Sequence, residues 1–410
     1  MPTWTPPNLA LWAQRLLTTS TDAQPLPSGA RRTNGEMLMV TLLFALLALH
    51  GSLHVLGFLK SWRLAELPQM RTETLFALPR SLEKLVGAAW LIPCALFLAS
   101  AVALTLHVET WWAWGLSGAL CSQLLIIYAW PVAKTGTLIN LLMLGPLLAA
   151  AGQSRFTRET ERTVRALWSN VPSGEPSLVS AAELAPLPTP VRRWLVSAGV
   201  VGRARVRTLR LKQTGWMRTS PEGRWMPTQA VQYFNAAQPG FVWRAEVRMP
   251  VLSFAGRDTY LNGRGRMLIA LSSLVPVVDA SDAKTQQGTL LRFLGETVWF
   301  PSAALSPYLH WEAIDEQNAQ VSMRYRGVHG SARFSFGANG QVTRVSAERY
   351  MGSGPNAKLE HWSIPMREWR SFAGYTIPVA GDVIWQLAGG DFNYFRWHID
   401  DVEYDPGAID

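Results

Sequence analysis

The sequence predicts two architectures in one chain: a membrane α-helical module of four transmembrane helices, then an antiparallel β-rich domain, a curved sheet or half-barrel, with an embedded helix. Three observations predict it. Only 16% of the 410 residues are charged, against about 25% in ordinary soluble domains. The deficit comes from four charge-free runs, Met37 to Leu59, Leu85 to Leu106, Thr110 to Ala133 and Thr135 to Ser154, each close to the roughly 20 apolar residues that cross a bilayer core. From Arg203 onward the apolar period then changes from helical to two. A single soluble globule is thereby excluded. So is a disulfide scaffold, because the only cysteines, Cys94 and Cys121, fall inside the apolar runs.

Residues 1–36 hold Pro2, Pro6, Pro7, Pro25 and Pro27 and lack the apolar core of a signal peptide, so a mobile tail is expected. The first run ends on Lys60 and Arg63 as interfacial anchors. The second carries Pro93, which a membrane helix tolerates where neighbours satisfy the freed carbonyl. Only a few residues around His107 and Glu109 separate it from the third, which predicts a tight hairpin. Trp111, Trp112 and Trp114 open the third run, and Tyr128 and Trp130 close it, an aromatic belt at both headgroup levels. Basic residues near the helix ends divide evenly between the two sides, so loop charge assigns no sidedness. Arg155 to Asn170 reads as a short helix leaving the membrane, with Glu161 and Arg165 four apart. Val171 to Pro188, rich in proline, reads as a linker. The expected divisions are a tail over 1–36, the helical module over 37–154, a juxtamembrane helix and linker over 155–186, and the β domain over 187–405.

That domain opens with Thr189 as an N-cap, Pro190 at the first helical position and Gly199 just past the end of a two-turn helix. Phe241, Trp243, Ala245, Val247 and Met249 then alternate with Val242, Arg244, Glu246 and Arg248. Val321, Met323 and Tyr325 do so with Ser322, Arg324 and Arg326, and Val383, Trp385 and Leu387 with Ile384 and Gln386. These are half-buried strands. Pro239-Gly240, Asn262-Gly263, Asn339-Gly340 and Gly389-Gly390 punctuate them closely enough to favour antiparallel hairpins. Eight to ten strands are expected, with one helical interruption over Gln286 to Val298 that puts Leu290, Phe293, Leu294 and Thr297 on one face.

Candidate chemistry is sparse. His50 and His54 lie four apart on the first membrane helix, so both rings share a face and could bond between helices, share a metal or handle protons. Two ligands do not make a site, and no cofactor or metal is expected. Arg292 and Glu296 share a face of the interrupting helix opposite Leu290, Phe293 and Leu294. If that face is buried, Asp258, Asp315 and Arg349 are the further partners, and the network is either structural or orients a ligand headgroup. Ten of the 19 tryptophans lie between Trp194 and Trp397, either packing a core or lining a greasy cavity. Arg203, Arg205 and Arg207 would point to one face of a strand and Arg210 and Lys212 to the other, either to attract anionic lipid or to guard a sheet edge. Of the 38 basic residues 32 are arginine, a habit of composition, so no nucleic-acid partner is expected. Signatures of P-loop, zinc-protease, dithiol and serine-hydrolase chemistry are absent.

Several segments carry a resemblance. Leu187-Pro188-Thr189-Pro190-Val191, Gln213-Thr214-Gly215, Gln238 to Trp243, Arg257 to Tyr260, and Leu291 to Glu296 with Trp299-Phe300-Pro301 resemble a bacterial domain of unknown function. His50 to His54, Leu64 to Leu67 and Trp130 to Asn140 resemble the four-helix membrane module often fused to it. Where that module carries an acidic residue and an aromatic around Ala133-Lys134, this chain has Val132 and Thr135, so no charge-dependent role is expected there. In shape the β domain is similar to the half-barrels of bacterial lipoprotein carriers. No activity follows from the resemblance, and likeness of shape implies little about function. The Trp-rich alternating strands, the face carrying Arg292 and Glu296 and the basic strand lead to the expectation of a multi-pass protein of the bacterial cytoplasmic (inner) membrane whose β domain binds a lipid-like or apolar ligand near the bilayer without catalysis. Arg292, Glu296, Trp299, Asp258, Asp315 and Arg349 are the ligand-binding candidates. Two other readings are a membrane redox or transport component using His50 and His54, and an enzyme using Arg292, Glu296 and Asp315.

Overall fold

The computed structural model describes residues 34–65, 73–169, 171–172, 174–249 and 253–407. Most of the expected tail lies outside them. The chain divides into two compact units, with the change at Arg158 and Glu159.

In the first unit α1 covers Asn34–Ser61, α2 Arg80–Ala89, α3 Leu91–Thr105, α4 Trp111–Tyr128 and α5 the single turn Trp130–Ala133; α6, Thr135–Trp168, begins there and its last residues belong to the second unit. Among the described residues, three stretches are long and apolar enough to cross a membrane: Met37–Ser61, Arg80–Thr105 and Thr135–Trp168, with mean hydropathy of 2.0, 2.2 and 1.5. The expectation was four. The run beginning at Thr110 folds as α4, whose 18 residues include three tryptophans, Gln123 and Tyr128, and these dilute its apolar character. Pro93 has a stronger effect than expected, because its missing N–H and its ring act on the preceding turn, and the helix breaks at Trp90 between α2 and α3. The helix expected separately from Arg155 is instead the continuation of α6, because a switch from apolar to charged residues does not interrupt backbone hydrogen bonding. Glycines let the helices approach closely: a Cβ on Gly51 would lie 2.9 Å from Phe97 Cβ, and one on Gly118 would lie 3.1 Å from Phe97 Cδ1.

The second unit is built on one antiparallel sheet of 13 strands, not eight to ten. Its strands are β1 Thr208–Met217, β2 Met226–Asn235, β3 Gly240–Arg248, β4 Ser253–Leu261, β5 Arg264–Leu271, β6 Val275–Ala280, β7 Leu309–Ala313, β8 Asn318–Tyr325, β9 Val328–Phe336, β10 Val342–Met351, β11 Lys358–Phe372, β12 Tyr375–Leu387 and β13 Gly390–Tyr404. They are ordered β6-β5-β4-β3-β2-β1-β13-β12-β11-β10-β9-β8-β7, so every consecutive pair except β6 and β7 is hydrogen-bonded. Those two are the edges of the curled sheet. The chain passes from one edge to the other through α8, Ala283–Glu296, followed by short 3-10 turns at Thr297–Trp299 and Pro301–Leu305. The result is a curled half-barrel with an embedded helix, which packs on β4 and β5 from one half of the sheet and on β9 and β10 from the other. A shorter helix, α7, Thr189–Ser197, sets Trp194 against Trp311, Phe334 and Phe336. Its N-cap is Pro188 rather than Thr189, and Gly199 at φ +75° ends it as expected.

The inward phase of the strands is apolar and aromatic. Phe234, Phe241, Tyr260, Phe293 and Phe300 are fully buried in one connected set of rings. Of the ten tryptophans in this half, Trp194, Trp243, Trp299, Trp311, Trp362, Trp385 and Trp397 are buried in the same core.

Candidate functional site

A cluster of buried charged and amide side chains interrupts that core where α8 meets β2, β3 and β4. Pairing register places Gln232, Trp243 and Asp258 side by side across the three strands, about 4.8 Å between neighbours. Helix α8 lays Arg292 on this row. Its Nε donates to Glu296 Oε1 at 2.8 Å, one turn on, and its Nη1 to Asp258 Oδ2 at 2.7 Å. Its remaining nitrogen reaches Gln232 Oε1 at 3.4 Å, and Gln232 Nε2 donates to Glu296 Oε2 at 2.7 Å. The guanidinium also stacks 4.7 Å from the centre of Trp243 and 5.0 Å from that of Phe241, and Trp243 is oriented by a 3.0 Å bond to Gln213.

Two carboxylates thus share one cation in a buried place. Burial pushes the Glu296 carboxyl above its ordinary range, more than Arg292 and Gln232 draw it down. For Arg292, burial opposes the charge, but Glu296 and Asp258 outweigh it and hold the guanidinium above its usual value. The charged form of Glu296 is therefore disfavoured in this place. Asp258 Oδ1 has no hydrogen-bond partner among the described residues.

Arg349 grips α8 from the other half of the sheet. Its Nε donates to the carbonyl of Gly288 at 3.1 Å, and its guanidinium lies 4.8 Å from the centre of Trp362 and 5.6 Å from that of Trp385. At the helix start, Asp282 accepts from Thr285 N at 2.8 Å and Gly354 N at 2.5 Å, while Lys284 donates to the carbonyls of Gly354 and Ala357. Trp299 is buried against Trp397, with no partner for its Nε1 among the described residues.

Of the sequence-named residues, the structure brings Arg292, Glu296 and Asp258 into one cluster and places Arg349 against Gly288, one turn before Arg292 on the same helix. Asp315 is elsewhere. It lies exposed in the β7–β8 turn, accepting from Gln317 and Asn318, so the three groups an acid–base reading needed do not converge. The expected basic strand does not form either: Arg203, Arg205 and Arg207 precede β1 and are held by Ala373, Glu183, and the carbonyls of Pro172 and Gly174. Sequence reading missed Gln232, Gln213 and Asp282. Gln232 had a signal, a polar residue in the inward phase between Ala230 and Phe234.

In the helical unit His50 and His54 are buried with rings 4.8 Å apart, edge to face. His54 Nδ1 faces the carbonyl of His50 at 2.8 Å, so it is the donor, and Nε2 accepts from Ser122 at 2.9 Å. His50 Nε2 lies 3.0 Å from Asn140 Oδ1, and Asn140 donates to Ser122 and Gln123. These bonds tie α1 to α4 and α6. His50 Nδ1 has no partner, and no group of three or more His, Cys, Asp or Glu could hold a metal, among the described residues.

The model of a family of unknown function, DUF6544, matches residues 177–397, more than half of the chain and nearly all of the curled sheet. The chain belongs to that family. Among curated proteins none matches it. Of solved structures, it is similar to a domain provisionally named an outer membrane lipoprotein-sorting protein from Vibrio parahaemolyticus, at 9% identity and a TM-score of 0.32, covering 49% of this chain and 87% of that one. It is similar also to a LolA superfamily protein from Nitrosomonas europaea, at 10% identity and 0.29, covering 52% and 92%. A DUF1329 family protein from Desulfovibrio piger matches at 8% and 0.27, covering 50% and 88%. Likeness at these values carries no argument about a ligand.

Proposed function

We propose that the β domain is a non-catalytic binder of a lipid-like or otherwise apolar molecule, working at a bilayer that holds the N-terminal helices. The observation that carries this is the occupant of the curl. The two edge strands are not paired to each other, and what fills the space between them is the chain's own α8. Its 14 residues measure about 21 Å at 1.5 Å each, more than the roughly 15 Å half-thickness of a bilayer core that one acyl tail spans. The seat beneath it is walled by Phe234, Phe241 and Tyr260. One flank of the seam consists of ion pairs and stacked arginine, groups that water re-solvates when the helix lifts, so separation costs less than at a wholly apolar seam. The polar groups are bonded chiefly to one another, and they hold the helix.

The membrane side of the reading is a multi-pass protein of a bacterial cytoplasmic membrane, with α4 as a fourth crossing. Its 18 residues measure about 27 Å, carry no charge, and have aromatic residues at both ends.

A pair of cysteines tests the lid. A Cβ on Gly295 would stand 3.5 Å from Val345 Cγ1, so Gly295→Cys with Val345→Cys, in a chain whose Cys94 and Cys121 are replaced, should close α8 onto β10 when oxidised. Native mass spectrometry of the full chain should show an apolar molecule bound after reduction and lost on oxidation. Retention of that molecule by the oxidised protein, or no uptake of a fluorescent fatty-acid analogue by the reduced one, refutes the reading.

One observation favours a second reading for the helical unit: the Nδ1 of His50, buried beside His54, has no hydrogen-bond partner among the described residues. It supports a transport or redox role for the pair. A purified chain with neither visible absorption nor bound metal, and unchanged by His50→Phe in transport of protons across vesicles, removes it.

A further inference from the structure

A cleft of about 1160 Å³ opens at the rim of the curl, lined among others by Asn262, Arg264, Arg266, Ser281, Gln286 and Arg326. Two hairpin turns make it. Asn262-Gly263 and Arg326-Gly327 both have positive φ, 50° and 78°, and 51° and 83°, as in two-residue type I′ hairpins. The turns are pinned together, since a Cβ on Gly263 would collide with Arg326 Cβ. The third wall is α8, whose Gln286 Cα would stand 3.0 Å from a Cβ on Gly265. The cleft therefore lies against the helix that fills the trough.

Its charge is one-sided. Arg266 is neutralised by Asp279 through two bonds of 2.7 Å. Arg264 and Arg326 have no acidic partner among the described residues; Arg326 only lies over the Tyr325 ring. No carboxylate lines the space, and Asn262, Ser281 and Gln286 supply neutral hydrogen-bonding groups. Arg326 also occupies a left-handed position where its sister turn has asparagine, a residue better suited to that backbone. Two unbalanced guanidinium groups facing one polar space complement a phosphate monoester, which carries about −1.5 to −2 at neutral pH and accepts forked donors.

We infer that this cleft binds a phosphate monoester, the headgroup of the apolar molecule seated under α8. The identity of the attached tail rests on the carrier reading; the phosphate site rests on the cleft alone. The test titrates the full chain, in neutral detergent, with glycerol 3-phosphate, dihexanoyl phosphatidic acid and dihexanoyl phosphatidylcholine by calorimetry. Phosphatidic acid should bind best. Arg264→Gln with Arg326→Gln should weaken it by roughly 30-fold, about a factor of five per charge. Arg324→Gln, outside the cleft, should leave it unchanged. Both cleft arginines are exposed, so the double variant should keep the wild-type unfolding midpoint.

Equal affinity for phosphatidic acid and phosphatidylcholine, or an unaffected double variant, overturns the phosphate site. If native mass spectra still show the apolar molecule in that case, the carrier reading stands without it. Glycerol 3-phosphate binding as tightly as phosphatidic acid, with the same loss in the double variant, supports the cleft and assigns it a free phosphate ester, which removes the lipid source.

Discussion

Replacing Arg292 by methionine would take the cation out of the helix–sheet seam while keeping an unbranched side chain with good helix propensity. Two charge-assisted bonds of 2.7 and 2.8 Å disappear, and Asp258 and Glu296 are left facing each other. Removing one partner of a buried ion pair costs roughly 3–5 kcal/mol, and loss of the stacking on Trp243 and Phe241 adds about 0.5–2 kcal/mol. Part of this returns when Glu296 takes a proton, since burial already raises its carboxyl and each pKa unit is worth about 1.4 kcal/mol. The net expectation is about 3–5 kcal/mol. Urea unfolding of the full chain in detergent, followed by tryptophan fluorescence, measures it. The companion variant adds Asp258→Asn and Glu296→Gln, which removes the orphaned charges. It should recover most of the loss, because a buried charge without its partner, not the missing pair itself, carries the penalty. A single variant costing under about 1 kcal/mol, or a triple variant no more stable than the single, would refute this reasoning.

Glu296→Gln probes the same seam through pH. The folded carboxyl is raised above its unfolded value near 4.5, so its contribution is fully present below that value and is lost as pH rises through the folded one. Wild-type urea midpoints should fall from acid towards neutral pH, and the variant should lack that fall and be at least as stable at neutral pH. Asp282→Ala removes the cap of α8 and its bond to Gly354. The cost should be about 1–2 kcal/mol, with faster amide hydrogen exchange in the first turn. The two amides hold the Asp282 carboxyl low, so this stabilisation is present above the unfolded value and fades in acid. Asn140→Leu leaves His50 Nε2, Ser122 and Gln123 without their shared partner. The helical unit should lose about 1–2 kcal/mol, read as a lower thermal midpoint in detergent; an unchanged midpoint would show that the network is not formed.

The strand phase was legible because burial on one face has a period of two. Phe241, Trp243, Ala245 and Val247 are buried as the alternation requires. Strands without alternation were not legible: β6 reads Val-Pro-Val-Val-Asp-Ala, and β7 is five residues long with a single buried tryptophan. Helix α8 starts three residues before its expected boundary because its early turns, Ala-Lys-Thr-Gln-Gln-Gly, are polar. Asp282 is what stops it there, through bonds to its own Thr285 and to distant Gly354. Arg292 and Glu296 were visible as an i, i+4 pair. Gln232 and Asp258 join them only because β2, β3 and β4 pair in one register.

By itself the sequence determined what local chemistry can decide: which runs exclude charge and suit a bilayer, which segments alternate, where turns fall, and which arginine shares a helical face with a glutamate. These depend on neighbours within a few residues, where spacing along the chain equals spacing in space. Tertiary structure alone decided that the sheet curls with unpaired edges, that α8 occupies the curl, and that Arg292 meets Asp258 while Asp315 does not. It also decided that two turns 64 residues apart close one basic cleft. Such contacts follow from strand order and register, and register is set by how all 13 strands bury one face together. No window of sequence contains that condition.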